Sequence, residues 1–316
     1  MIGLLSKFTP RRISEFDQDK FIHGVESQKL KPLGQNESSE GFESPDGAAG
    51  ELYLKGGQVA IMAKFVLLTH DYDKHKVKSI VQQLLSKVDD KEEKGLAKKL
   101  KEQAEERLRK EGKTFTKEAV IHLVIYKSRG EKYLYVDADY NSDLYETVTN
   151  LFPIIGIEGV EKDEVVEFDD VNPLFSNAYT EILKDSSLLD DFKVVSPIKM
   201  DDTVKIDIGG DCVLVEADND GDSKEKATLV DFDLIDRDDV KIHLDRKRAT
   251  VCQFKFSLND IQFKFCHSEK HVFSGCKLHK TTGAKVDVGD PNDQLILSAY
   301  AMRAMHLASQ SMIDLV

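Results

Sequence analysis

Tryptophan is absent from the 316 residues, and cysteine is scarce. Cys212, Cys252, Cys266 and Cys276 are too few to staple so long a chain, which excludes a disulfide framework and points to a reducing cytoplasm. No stretch approaches the roughly 18 consecutive apolar residues of a membrane span. Met1 to Arg12 lacks the long apolar region and small-residue cleavage site of a secretory signal, so no membrane partner is expected. Neither a nucleophile elbow nor a phosphate-cradling glycine loop is present, which removes the commonest hydrolase and nucleotide-binding signatures.

What is present is charge, unevenly placed. The net charge is −13, but from Glu158 to Asp222 there are 19 Asp/Glu against 5 Lys. From Lys74 to Lys117 the balance reverses, with 14 Lys/Arg against 8 Asp/Glu. An acidic protein with a concentrated basic face can still bind phosphates, because binding follows local rather than average charge.

The apolar content of 41% suits a globular chain long enough for two or more subdomains. Residues 2–9 read as a strand and Asp17 to Gln28 as an amphipathic helix, followed by a turn at Pro32-Leu33-Gly34. Residues 35–50 have the composition of an exposed loop. Leu52 and Leu54, then Val59, Ile61, Ala63 and Phe65, alternate as a hairpin does around Gly56-Gly57. Lys74 to Lys110 is strongly helical, and its second part is polar nearly all round, so it projects into solvent or meets a charged partner.

A second hairpin pairs 120–126 with 133–136. A short helix follows at 143–151, and a buried strand is expected over 152–157. Later come a helix at 172–183, short strands at 204–208 and 212–216 parted by Gly209-Gly210, an apolar run at 228–232, and a helix at 236–244. Strands at 250–257 and 261–266 precede a closing helix at 293–313. Strands and helices without a β-α-β rhythm make the fold α+β.

Several constellations could carry chemistry. Cys266, His267, His271, Cys276 and His279 are zinc-ligand types, but their spacing matches no standard finger and strand alternation would scatter them over two faces. Asp218 to Asp222 has the look of a calcium loop, but Ala227 stands where the closing bidentate acid belongs. Asp137 and Asp139, with Asp143 nearby, are the best carboxylates for a Mg²⁺-dependent nuclease; the alternative is a polar strand end with Asp143 as a helix cap. No cofactor is expected.

The basic residues Lys94, Lys98, Lys99, Lys101, Arg107, Arg109 and Lys110 make the richest positive helix, and Lys113, Phe115 and Lys117 form a basic turn beyond it. An apolar ring among lysines is one way proteins enter a groove or meet unstacked bases. The plainer alternative is a solvated helix with i,i+4 ion pairs and Phe115 packed under the hairpin. A second basic cluster, Arg246, Lys247 and Arg248, either complements a helix end or holds phosphates.

The order of these elements resembles the RdgC family, the recombination-associated proteins of bacteria and some phages. The residues that carry the resemblance start with the N-terminal strand, helix and Pro32-Leu33-Gly34 turn. Gly57-Gln58-Val59-Ala60-Ile61-Met62-Ala63-Lys64 is similar to the family's Gly-Gln-φ-φ-φ-x-Ala-Arg strand, φ being apolar. A lysine-rich helical segment, a Phe-containing turn and a hairpin ending in Val136-Asp137 follow in order. Asp233-Leu234 before a helix with His243, and the Asp293-Gln-Leu-Ile-Leu segment, complete it. Asp231-Phe232 departs from a Lys-Gln pair expected there.

The resemblance implies a non-enzymatic, cytoplasmic, nucleoid-associated protein. It implies a ring-shaped homodimer whose basic channel encloses double-stranded DNA without reading sequence, and which restrains RecA-type recombination. It further implies a centre domain of 1–73 and 118–165, a helical finger or tip of 74–117 and a C-terminal base of 166–316. Phe115 would be the tip phenylalanine and Arg248 a channel-facing cation. Two rivals to that reading are the nuclease and a protein-binding module whose acidic block acts directly on a recombinase.

Overall fold

The computed structural model describes the chain apart from residues 1–4, 44–50, 87–94, 138–141, 163–172, 196–202, 217–225, 230–242 and 280–290, and shorter gaps at 35, 56–57, 129, 191, 193, 245–246, 259–260 and 316. The N-terminal elements are β1 (Lys7–Phe16), α1 (Gln18–Ser27), β2 (Ser38–Glu43), β3 (Glu51–Lys55), β4 (Gln58–Asp71), α2 (Lys74–Leu85), α3 (Leu96–Lys110), β5 (Phe115–Ser128), β6 (Glu131–Val136), α4 (Asp143–Thr149) and β7 (Ile157–Lys162). There follow α5 (Pro173–Lys184), a 3-10 turn at Ser186–Leu189, β8 (Val194–Val195), β9 (Thr203–Glu216), β10 (Lys226–Leu229), β11 (Lys247–Leu258), β12 (Ile261–Ser268), β13 (Phe273–His279) and α6 (Pro291–Ile313). The fold is mixed α+β, built on antiparallel pairing.

Alternation along β4, β5 and β6 sorts their side chains onto two faces. Ile61, Ala63, Phe65, Leu123, Ile125, Leu134 and Val136 pack with Phe21 and Val25 of α1 and Tyr145 and Val148 of α4. Ala60, Met62, Val124, Tyr126 and Tyr135 turn the other way and join a larger core with α5, α6 and β9 to β13. The described residues on either side of position 165 therefore share one core. Within it α6 is buried nearly all round, from Leu295 at 0% exposure to Met312 at 0%. A helix apolar on every side is a core helix.

The strand order runs β10-β9-β11-β12-β13-β1-β6-β5-β4-β2, with β3 on β4, β7 on β1 and β8 on β9. Strand β1 is the join. Its Lys7 and Phe8 pair with β13, Thr9 to Arg12 with β6, and Arg11 to Phe16 with β7. Phe8, fully buried, stacks on Phe273 at 4.6 Å and meets Tyr135 edge-on at 5.3 Å.

Several expectations are corrected. The first strand runs to Phe16 rather than stopping at residue 9: Pro10 falls where β1 has only β6 beside it, and a position with one open side suits a residue without an N–H. The polar 35–50 segment contains strand β2, held on β4 by its full register and by Phe42 against Phe65 at 5.3 Å. Tertiary pairing there overrides composition.

The helical run expected from Lys74 to Lys110 contains two helices, α2 and α3, the second starting after Gly95 at φ +87°. Residues 150–156 are turns, not a strand, although Phe152 and Ile155 are buried. Gly156, at φ +71°, packs so closely that a Cβ there would lie 2.6 Å from the Asp17 carbonyl. Gly209-Gly210 does not split β9. The register to β11 shifts between Cys252/Cys212 and Phe254/Ile208, so the glycines sit in a bulge. The helix expected at 236–244 lies outside the described residues except for 243 and 244.

Phe8→Ala removes the ring that binds both sheets and is expected to lower stability by about 3–5 kcal/mol. Urea unfolding measures it, and a decrease below about 1 kcal/mol would show that the join does not depend on this ring.

Candidate nucleic-acid interface

The segment between β4 and β5 folds back on itself as a helical pair. Asp73 caps α2, its carboxylate accepting from the backbone N–H of His75 at 2.9 Å and of Lys76 at 3.3 Å. Those backbone hydrogen bonds hold the Asp73 carboxyl below its ordinary range. In α3 the four-residue spacing of Leu96, Leu100, Ala104 and Leu108 makes one buried stripe. Ala104 and Leu108 meet Val77, with Tyr72, Ile80 and Val81 packed alongside. Burial and the nearby Glu105 raise the Tyr72 phenol.

Helix α3 ends in a Schellman turn: Lys113 N–H donates to Leu108 and Gly112 N–H to Arg109, with Gly112 at φ +65°. The chain then enters β5 beside β4. His70 fixes that junction, its Nε2 donating to the Asn36 carbonyl at 2.9 Å and its Nδ1 hydrogen-bonded with the Thr114 hydroxyl at 2.9 Å.

The narrow apolar stripe leaves the rest of α3 to charge. Lys98 lies 3.9 Å from Glu102, Lys101 3.5 Å from Glu105, Lys110 2.7 Å from Glu106 and Arg107 2.9 Å from Glu111. Lys113 also reaches Glu111 at 2.8 Å. The hydrogen bond from Lys110 holds Glu106 low, and those from Lys113 and Arg107 hold Glu111 low. This is the i,i+4 ladder of a solvated helix. Such exposed pairs are weak and screened by solvent, so their cations exchange readily onto a stronger anion.

Arg109 differs. Its side chain is only 16% exposed and pairs with Glu37 at 3.1 Å, tying the helix to the segment before β2. Lys99 is on the same helix and exposed, and Lys117 is exposed on β5 opposite Thr69. Lys94 lies outside the described residues.

Phe115 opens β5 opposite Asp71 and is 64% exposed, so it is not packed under the hairpin. Residues i and i+2 of a strand share a face, which puts Phe115 and Lys117 on the same side.

The second basic cluster is elsewhere. Lys247 and Arg248 begin β11, which β12, β13, β1 and β6 separate from β5 in the strand order. Arg248 is half-buried, 3.6 Å from Glu269, and Arg246 lies outside the described residues. The two basic places do not merge into one patch along the sheet. A groove of about 870 Å³ between α4 and β7 has Glu146 and Glu158 among its described lining residues and no Lys, Arg or His among them, so that lining does not suit a phosphate.

The other constellations resolve differently. Asp137 accepts from both the backbone N–H and Nδ1 of His122, each at 2.6 Å. Lys64 is the β4 neighbour of His122 and pairs with Glu43 at 2.9 Å. Asp137 is thus engaged by His122, in a polar row of Asp137, His122, Lys64 and Glu43 across four neighbouring chain segments. Asp139 lies outside the described residues, and Asp143 starts α4 behind the capping Ser142 rather than capping it.

Cys266 and His267 point to opposite sides of β12. His267 faces the core, where its Nε2 is 2.9 Å from His271 Nδ1. Burial pushes the Cys276 thiol up, away from the thiolate a metal needs. His279 has no described side chain, and the Asp218–Asp222 segment lies outside the described residues. Among the described residues no three His, Cys, Asp or Glu side chains are grouped to hold a metal ion, and no helix is long and apolar enough to cross a membrane.

Asp137→Asn is expected to cost about 1–2 kcal/mol by weakening two charge-assisted hydrogen bonds. Chemical unfolding reads it, and an unchanged midpoint would mean that the His122 pair is idle.

No family model matches the chain, and no curated protein matches it.

Proposed function

We propose that this protein binds double-stranded DNA without reading its sequence, using the α2–α3 tip and the start of β5. The observation that carries the reading is Phe115, an aromatic side chain 64% exposed at the base of a helix with strongly exposed cations. An exposed ring contributes little to folding, whereas a ring beside lysines can wedge into a groove while the lysines neutralise phosphates. Lys98, Lys101, Arg107, Lys110 and Lys113 are the principal contacts, each side chain more than half exposed. Lys99, exposed on the same helix, and Lys117, exposed on β5, are added. Arg109 serves the fold instead. Arg248 acts as a secondary contact only if its bond to Glu269 opens.

The resemblance in element order to the RdgC family supports the rest of the proposal. Two copies close as a ring around the duplex, and the encircled DNA becomes a barrier to a RecA-type filament. In this reading the protein binds DNA rather than cutting it, and the engagement of Asp137, the best nuclease carboxylate, by His122 favours that. Acidic surface elsewhere repels DNA and steers it to the tip.

Binding to a labelled duplex of scrambled sequence, followed across a salt series, tests this. Affinity should fall steeply with salt. Replacing Lys98, Lys101 and Lys110 with Glu should flatten the logarithmic slope by about 0.9 for each phosphate the variant no longer neutralises. Phe115→Ser should weaken binding about tenfold yet change stability by less than about 0.5 kcal/mol, because an exposed ring contributes little to folding. Salt-independent binding, preference for one sequence, or Mg²⁺-dependent shortening of the DNA would each overturn the reading.

A further inference from the structure

The most polar place in the large core is a run of histidines that DNA binding does not use. His267, at the end of β12, and His271, in the turn to β13, are 0% and 1% exposed; His306 of α6 is 0% exposed. The His267 and His271 rings lie 5.0 Å apart and those of His271 and His306 5.2 Å apart. His271 is the one described non-glycine residue with positive φ, at 56°.

The hydrogen bonds fix protonation. Arg303 Nη1 stands 3.1 Å from His306 Nδ1. A guanidinium only donates, so that nitrogen must accept and His306 is neutral. Between His267 Nε2 and His271 Nδ1, 2.9 Å apart, one nitrogen must likewise be without a proton. Tyr179 of α5 occupies the other side of His267, hydrogen-bonded to its Nδ1.

Every neighbouring element leaves an added positive charge poorly matched. From α6 comes Arg303, already cationic, 3% exposed, over the Tyr133 ring at 4.1 Å. From β6 come Tyr133, Tyr135 and Glu131, and Glu131 is already engaged by Arg303 at 3.0 and 3.3 Å. From α5 come Tyr179 and the Phe175 ring, stacked 5.1 Å from His271. From β11, Cys252 lies opposite His267, and Phe273 of β13 and Phe8 of β1 complete the apolar wall. Glu269, two residues along the turn, faces Arg248.

We propose that this cluster is a proton-operated latch: protonation of the imidazoles, as pH falls from about 7.5 towards about 5, frees α6 from β6 and from the β12–β13 turn. The inference is independent of DNA binding. Burial, then the neighbouring His271 and His306, hold His267 well below its ordinary value of 6.5. A basic group depressed in the folded state contributes stability that is complete above its unfolded value and is lost as pH falls towards its folded one. The latch is closed at neutral pH and loosens on acidification.

Hydrogen exchange corrected for intrinsic rates, measured from about pH 7.5 to 5, tests it. Protection in α6 and β6 should fall at least tenfold while α1 and α4, packed on the other core, keep theirs. The variant His267→Gln/His271→Asn/His306→Gln cannot titrate; Asn tolerates the positive φ of position 271, and Gln can accept from Arg303. It should lose that pH dependence. Uniform loss over the molecule, or a variant that tracks the wild type, would overturn the latch. Should the triple variant fail to fold, imidazole NMR of the wild type decides. Three of its nine histidines titrating below the rest, in step with the loss of protection, support it; all titrating together near 6.5 sink it.

Discussion

Strand β1 is where two sheets become one, and the rest of the architecture depends on how little chain achieves it. Only Lys7 and Phe8 pair with β13 before the strand passes to β6 and β7. Two ladder positions could not hold the assembly by hydrogen bonding alone, since each such bond adds only about 1 kcal/mol net. The aromatic contacts of Phe8 with Phe273 and Tyr135 seal the junction, and α6 lies across it from the core side. Backbone pairing sets the register here, and ring burial supplies most of the stabilisation.

That division of labour explains what the sequence made legible. The β4–β5–β6 meander could be read because its alternation is clean and one face meets each core. The closing helix could be read because it is long and uninterrupted. Strand β2 could not, since only Gly41 and Phe42 of its six residues are buried and the remainder read as loop. The 150–156 turns hid behind the apolar residues Phe152, Ile154 and Ile155. Their backbone is set by a contact with α1, which no local pattern contains.

The surface proposed to bind DNA was legible in composition but not in state. Counting lysines located α3, and the spacing of glutamates already suggested the ion pairs. The sequence could not tell that Arg109 turns inward to Glu37, because the two lie far apart along the chain. Nor could it tell that Phe115 stays outside: both outcomes fit an aromatic beside a hairpin. The histidine cluster was visible only as a run of ligand types, and the partner that changes its meaning, His306, comes from a different element.

Helix α6 is made after every strand it covers. Until it emerges from the ribosome, Ala60, Met62, Val124, Tyr126 and Tyr135 present an apolar sheet face to water. Folding of the N-terminal meander is thus complete on one side and open on the other for most of the synthesis of the chain. During synthesis that face stays open to non-native association until the last described helix covers it.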